Sequence, residues 1–128
     1  MTWYAASAVF LFEFIEGVQD SHFVWENVYV FSASSIDEAH EKAEKYAKQH
    51  EENNENGKTT LNDRPVRIKY KGLRKLMTFQ MNDEETNPLE GAEATYYDFE
   101  FSSQEDFLKY LDGEDVNVCY QSQVKKDN

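Results

Sequence analysis

The chain has 128 residues, with 13 Lys and Arg against 25 Asp and Glu, a formal charge of −12; that balance disfavours direct binding to a phosphate backbone, because Lys and Arg supply most of such affinity. Hydrophobic residues make up 40%, with nine Phe, eight Tyr and two Trp, which argues against disorder and for one domain with a real core over residues 1–120, followed by a frayed tail at 121–128. A single cysteine, Cys119, excludes an intrachain disulfide and points to a reducing compartment, the cytoplasm.

Residues 3–15 alternate, with Tyr4, Ala6, Ala8, Phe10, Phe12 and Phe14 on one side and Trp3, Ala5, Ser7, Val9, Leu11 and Glu13 on the other. One wholly apolar face and one mixed face predict a largely covered strand. No Lys or Arg precedes this run, Glu13 closes it and no small-residue cleavage site follows, so it reads as a buried strand and not as a secretory signal. It is also too short to span a bilayer. A turn over 16–22 leads back into a second strand over 23–33, completing a hairpin.

Ser35, with Glu38 three residues on, then forms a capping box. Ile36, Ala39, Ala43, Tyr46, Ala47 and His50 recur at helical spacing, which predicts a helix over 36–51 whose alanine-rich face lies close against a sheet. On its wet side Glu38 and Lys42, Glu41 and Lys45, and Glu44 and Lys48 stand at i,i+4, each pair worth about 0.2–0.5 kcal/mol. A polar loop follows over 51–57.

The third strand, 65–81, places Val66, Ile68 and Tyr70 on one face and Arg67, Lys69 and Lys71 on the other, but beyond Gly72 the apolar residues Leu73, Met77, Phe79 and Met81 change parity. A bulge or bend at Gly72 reconciles the halves. After a loop over 82–91 containing Asn87-Pro88, a fourth strand over 94–102 separates Tyr97, Phe99 and Phe101 from Tyr96, Asp98 and Glu100. Ser102-Ser103 then caps a short helix over 103–111, striped by Phe107, Leu108 and Leu111 and ended by Gly113, and Val116, Val118 and Tyr120 suit a brief edge strand. The expected fold is α+β in ββαββα order, an antiparallel sheet of about four strands in two hairpins, packed by one long and one short helix.

Charge is unevenly spread. Residues 64–75 hold six basic residues and no acid, whereas 83–115 hold twelve acids and one base, Lys109. The expectation is that Asp98 and Glu100, on a strand paired with the basic one, neutralise the stripe at about 0.2–1 kcal/mol per pair. The surplus acids then face outward, towards a basic partner.

Trp3-Tyr4-Ala5-Ala6 heading a strand, Trp25-Glu26-Asn27-Val28 leading into Ala33-Ser34-Ser35-Ile36-Asp37-Glu38-Ala39, and Tyr70-Lys71-Gly72-Leu73-Arg74-Lys75-Leu76 together resemble the small bacterial family called domain of unknown function 4288. Gly91-Ala92-Glu93-Ala94 is similar to that family's last strand. The resemblance covers roughly residues 3 to 100; the loop after His50 and the tail after Phe101 depart from it. It implies a fold and carries over no activity.

No chemistry assembles along the chain. Glycines 17, 57, 72, 91 and 113 are isolated, so no loop cradles phosphate. His40 with Glu44, and His50 with Glu51 and Glu52, are too few for a metal site that needs three or four convergent ligands, and no second cysteine serves zinc. His22 is expected to hydrogen-bond locally beside Asp20, and Cys119 to be a small buried hydrophobe. No nucleophile, base and orienter can be grouped, so neither cofactor, metal nor enzymatic activity is expected.

The candidate binding residues are Trp3, Glu26, Arg74 and Glu93, a polar patch on an aromatic floor if they converge. Three readings follow. The first is an acidic cytoplasmic domain that binds a basic protein partner, in its concrete form immunity- or antitoxin-like, with no nucleic acid or membrane involved. The second is a small-molecule-binding or catalytic domain built around Glu26. The third is a self-associating protein, such as a homodimer paired through a sheet edge.

Overall fold

The computed structural model describes residues 2–79, 92–116 and 119–120. Eight elements succeed one another: β1 (Thr2–Phe14), β2 (His22–Ala33), α1 (Ile36–Lys48), β3 (Thr60–Leu61), β4 (Arg64–Phe79), β5 (Ala92–Phe101), α2 (Gln104–Leu111) and β6 (Cys119–Tyr120). They make the expected α+β fold, a six-stranded antiparallel sheet in the order β3-β4-β1-β2-β5-β6 with two helices. The expected loop 82–91, Met81 and the tail 121–128 lie outside the described residues.

β1 occupies the centre because one face is wholly apolar and the other, though mixed, carries Val9 and Leu11, and only a strand with two paired edges and two covered faces buries both sets. β2 takes one edge through the turn and β4 takes the other, antiparallel from Phe14–Val66 to Trp3–Phe79. β5 pairs with the far side of β2. The expected second hairpin is therefore corrected: β4 and β5 are consecutive long strands but flank the β1–β2 hairpin from opposite sides.

Strand alternation assigns the two helices to opposite faces. On one, Ala39, Ala43 and Ala47 of α1, all fully buried, pack on Tyr4, Ala6, Ala8, Phe10, Phe12 and Phe14 of β1 with Tyr29, Phe31, Val66 and Ile68. The alanines carry no side chain beyond Cβ, so the helix approaches the sheet closely. On the other, Phe107 and Tyr110 of α2 pack on Val9, Leu11, Val24, Phe99 and Phe101.

Ser35 accepts from the Glu38 amide at 3.1 Å as a cap should, while the Glu38 carboxylate accepts from the amide and hydroxyl of Ser34 at 2.6 and 2.8 Å. Those hydrogen bonds hold the Glu38 carboxyl below its usual range. Ile36, expected on the buried face, is 57% exposed: in the first turn it projects beyond the sheet that the three alanines contact.

One expected irregularity proves to be two. The β1–β4 register shifts between Ser7 and Ala8 and again between Val9 and Phe10, leaving Arg74 and Lys71 as the extra residues on either side of Gly72. Each bulge shifts the parity of the strand by one residue. Leu73 and Leu76 consequently stay on the α1 side with Ile68 and Tyr70.

Four of the six basic residues of the stripe are paired within the molecule, but not by Asp98 and Glu100, which lie on the other side of the hairpin. Glu13 of β1 pairs with Arg67 and Lys71, Asp20 with Arg64, and Glu51 with Lys69. Burial tends to raise the Glu13 carboxyl, and the Lys71 and Arg67 contacts outweigh it, so its pKa is lowered. The outer edge of β4 is covered as well: Glu52 bridges to Ile68, and Thr60 and Leu61 pair with Pro65 and Arg64.

Candidate functional site

Two concavities flank β2, one on each face of the sheet. The first lies under α2. Glu26 stands between Val9 of β1 and Tyr97 of β5 and is only 6% exposed. An isolated buried carboxylate is costly unless hydrogen-bonded, and here Tyr110 of α2 donates its hydroxyl to Glu26 Oε1.

Arg74 reaches the same place because of its bulge. In a regular strand, residues 74 and 75 would face opposite ways; the extra residue lets both line one pocket of about 520 Å³ with Glu26, Tyr97, Phe99 and Tyr110. The Arg74 Nε donates to the Tyr110 carbonyl at 2.8 Å, and its guanidinium lies 4.6 Å from the centre of the Tyr110 ring. Glu114, Asp115 and Val116 complete the rim.

The second concavity, about 350 Å³, lies on the α1 face where β2 meets β5. It is lined by Trp25, Asn27, His50, Glu93, Tyr96 and Asp98. Trp25 and Asp98 are register partners; Trp25 is held edge-on by Phe12 at 4.7 Å. Asn27 donates to the Tyr29 hydroxyl at 3.2 Å, and that hydroxyl lies 3.0 Å from His50 Nδ1. Burial pushes the Tyr29 hydroxyl up to about 12, opposed by the Asn27 hydrogen bond and reinforced by the charge of Glu93. Asn27 and Tyr29, both buried, fix the floor, Tyr96 stands 53% exposed at the rim, and His50 and Glu93 are exposed.

Of the four residues chosen from sequence, the structure brings Glu26 and Arg74 together. Trp3 shares their face but stands six positions along β1 from Val9, about 20 Å away at strand spacing, with its ring 6.2 Å from Phe79. Glu93 belongs to the other concavity. Sequence reasoning missed Tyr110 and Lys75 in the first site and Trp25, Asn27, His50, Tyr96 and Asp98 in the second. The alternation of Tyr96, Asp98 and Glu100 was visible, but not which face they shared with Trp25.

His22 does not bond to Asp20, which pairs with Arg64. It is 8% exposed and stacks on Phe107 at 6.2 Å, its Nδ1 buried without a hydrogen-bond partner. Among the described residues no group of three or more His, Cys, Asp or Glu is placed to hold a metal ion, and no helix is long and apolar enough to cross a membrane. No curated protein and no solved structure matches the chain. The family model described as domain of unknown function (DUF4288) matches residues 3–94, most of the chain, and the chain belongs to that family.

Proposed function

We propose that this protein is a non-enzymatic binding domain of the cytoplasm that recognises a basic protein partner through the groove of Trp25, Glu93, Tyr96 and Asp98. The observation that carries this reading is the pairing of two carboxylates with two aromatic rings in one groove. A Lys or Arg side chain entering there meets carboxylates and the faces of an indole and a phenol, and both attract cations.

The surrounding charge supports the same reading. Four of the six basic residues of β4 are held by Glu13, Asp20 and Glu51, and the net charge of −12 leaves an excess of acids to form a negative field. Such a field steers a basic partner and speeds its association in a salt-dependent way. An immunity- or antitoxin-like protein covering a basic toxin surface is the concrete form of this reading.

Calorimetric titration with an arginine-rich peptide, and with duplex DNA and RNA at the same low salt, tests it. The expected result is peptide binding that weakens with added salt and is lost in the Glu93→Gln, Tyr96→Ala double variant. Nucleic-acid binding abolished by Lys69→Glu and Lys71→Glu would instead reverse the sign of the partner.

A further inference from the structure

We propose that the pocket between β4, β5 and α2 binds a small zwitterion with an apolar body, of the α-amino-acid type. Arg74 and Lys75 hold its carboxylate and Glu26 its ammonium. This site is separate from the groove and lies on the opposite face of the sheet.

Three features of the pocket select that chemistry. The bulge in β4 brings two consecutive cations to one wall. With its Nε committed to the Tyr110 carbonyl and its guanidinium held over the Tyr110 ring, Arg74 is oriented in advance. Its terminal nitrogens form the donor fork that matches a carboxylate.

Across the pocket the acceptors gather. Glu26 uses Oε1 for the Tyr110 hydroxyl, which leaves Oε2 to receive an ammonium proton. Glu114 and Asp115 add two further carboxylates to the pocket lining. A simple anion would meet these three carboxylates, and a simple cation would meet Arg74 and Lys75. Only a ligand carrying both charges satisfies both walls.

Beyond Glu26, on β5, lie the rings of Tyr97 and Phe99, nearly parallel with centres 6.4 Å apart, and Val116 also lines the pocket. They offer an apolar surface to the ligand's body. The pocket, at about 520 Å³, is of the size that small-molecule sites ordinarily have.

Titration with three probes of one size separates the contributions: L-phenylalanine, 3-phenylpropionate, which lacks the ammonium, and 2-phenylethylamine, which lacks the carboxylate. The expected result is saturable binding of L-phenylalanine, with amide shifts in the NMR spectrum confined to the segments around Glu26, Arg74, Tyr97 and Tyr110. Each truncated probe should bind about tenfold more weakly or worse, the usual consequence of losing a charged hydrogen-bond partner. Lys75→Ala, a change at an exposed residue, should weaken L-phenylalanine without weakening 2-phenylethylamine, and Glu26→Gln should weaken L-phenylalanine without weakening 3-phenylpropionate. Absence of binding by L-phenylalanine to the folded protein, or equal binding of all three probes, overturns the proposal. Neither result bears on the groove, whose peptide titration is read at Glu93 and Tyr96.

Discussion

Tyr110 and Glu26 are 84 positions apart in sequence and joined by one hydrogen bond, from the Tyr110 hydroxyl to the Glu26 carboxylate. That contact ties α2 to the middle of the sheet. It also explains how a carboxylate is tolerated in β2 at 6% exposure. Tyr110→Phe removes the donor and leaves the acceptor buried, which should cost about 1–3 kcal/mol. Urea unfolding measures it, with Tyr96→Phe at an exposed ring as a control whose midpoint should not move.

Ala43 is fully buried between α1 and the sheet. Ala43→Leu inserts a branched side chain where the helix approaches most closely and should cost about 1–3 kcal/mol. Ile36→Ala, at a 57% exposed position, should stay within about 0.5 kcal/mol of the parent. The difference between the two urea midpoints is the readout.

The positions behind those two predictions show what the chain makes legible. Alternation along residues 3–15, the Ser35 cap and the spacing of Ala39, Ala43 and Ala47 are local signals, and each produced the element it announced. Strand order is not local. The basic face of Arg67 and Lys69 and the acidic face of Asp98 and Glu100 suggested direct pairing, but Glu13 of β1 competes for the same cations and lies on the strand β4 joins. Nor could the pattern say that α1 and α2 cover opposite faces, since an apolar stripe identifies a buried side without naming what buries it. The register shift between Val28 and Tyr29, which leaves Ala94 as an extra residue of β5, puts Glu93 on the face opposite Glu26 and so in a different site.

Gly17 adopts φ +85, and a Cβ there would stand 2.8 Å from an Arg64 terminal nitrogen. Arg64 meanwhile caps the turn, donating to the Glu16 and Val18 carbonyls and to Asp20 with its guanidinium 3.7 Å from the Phe14 ring centre. Gly17→Ala should therefore cost about 1–2 kcal/mol from backbone strain, and any displacement of Arg64 adds to that. A thermal melt of the variant beside Arg64→Ala separates the two contributions, because strain persists when the guanidinium is gone.

Stability should fall at both ends of the pH range. The Glu13 carboxyl is depressed in the folded protein, so its contribution is present above the unfolded value near 4.3 and is lost as pH falls through the folded one. Tyr29 is raised to about 12 by burial; its contribution is full below the unfolded value near 10 and disappears as pH rises through the folded one. Burial and the Glu44 carboxylate push Tyr70 up as well. Urea midpoints across pH check this: Glu13→Gln should flatten the acid limb, and Tyr29→Phe the alkaline limb.

Recognition of a basic partner in the groove beside β5 is checked by amide and indole NMR shifts during titration with an arginine-rich peptide. The account predicts saturable shifts centred on the Trp25 indole, Asn27, Tyr96 and Asp98, shrinking as salt is added and absent in the Glu93→Gln, Tyr96→Ala variant. Shifts centred instead on Arg67, Lys69 and Lys71, or a spectrum unchanged by the peptide at low salt, would contradict it.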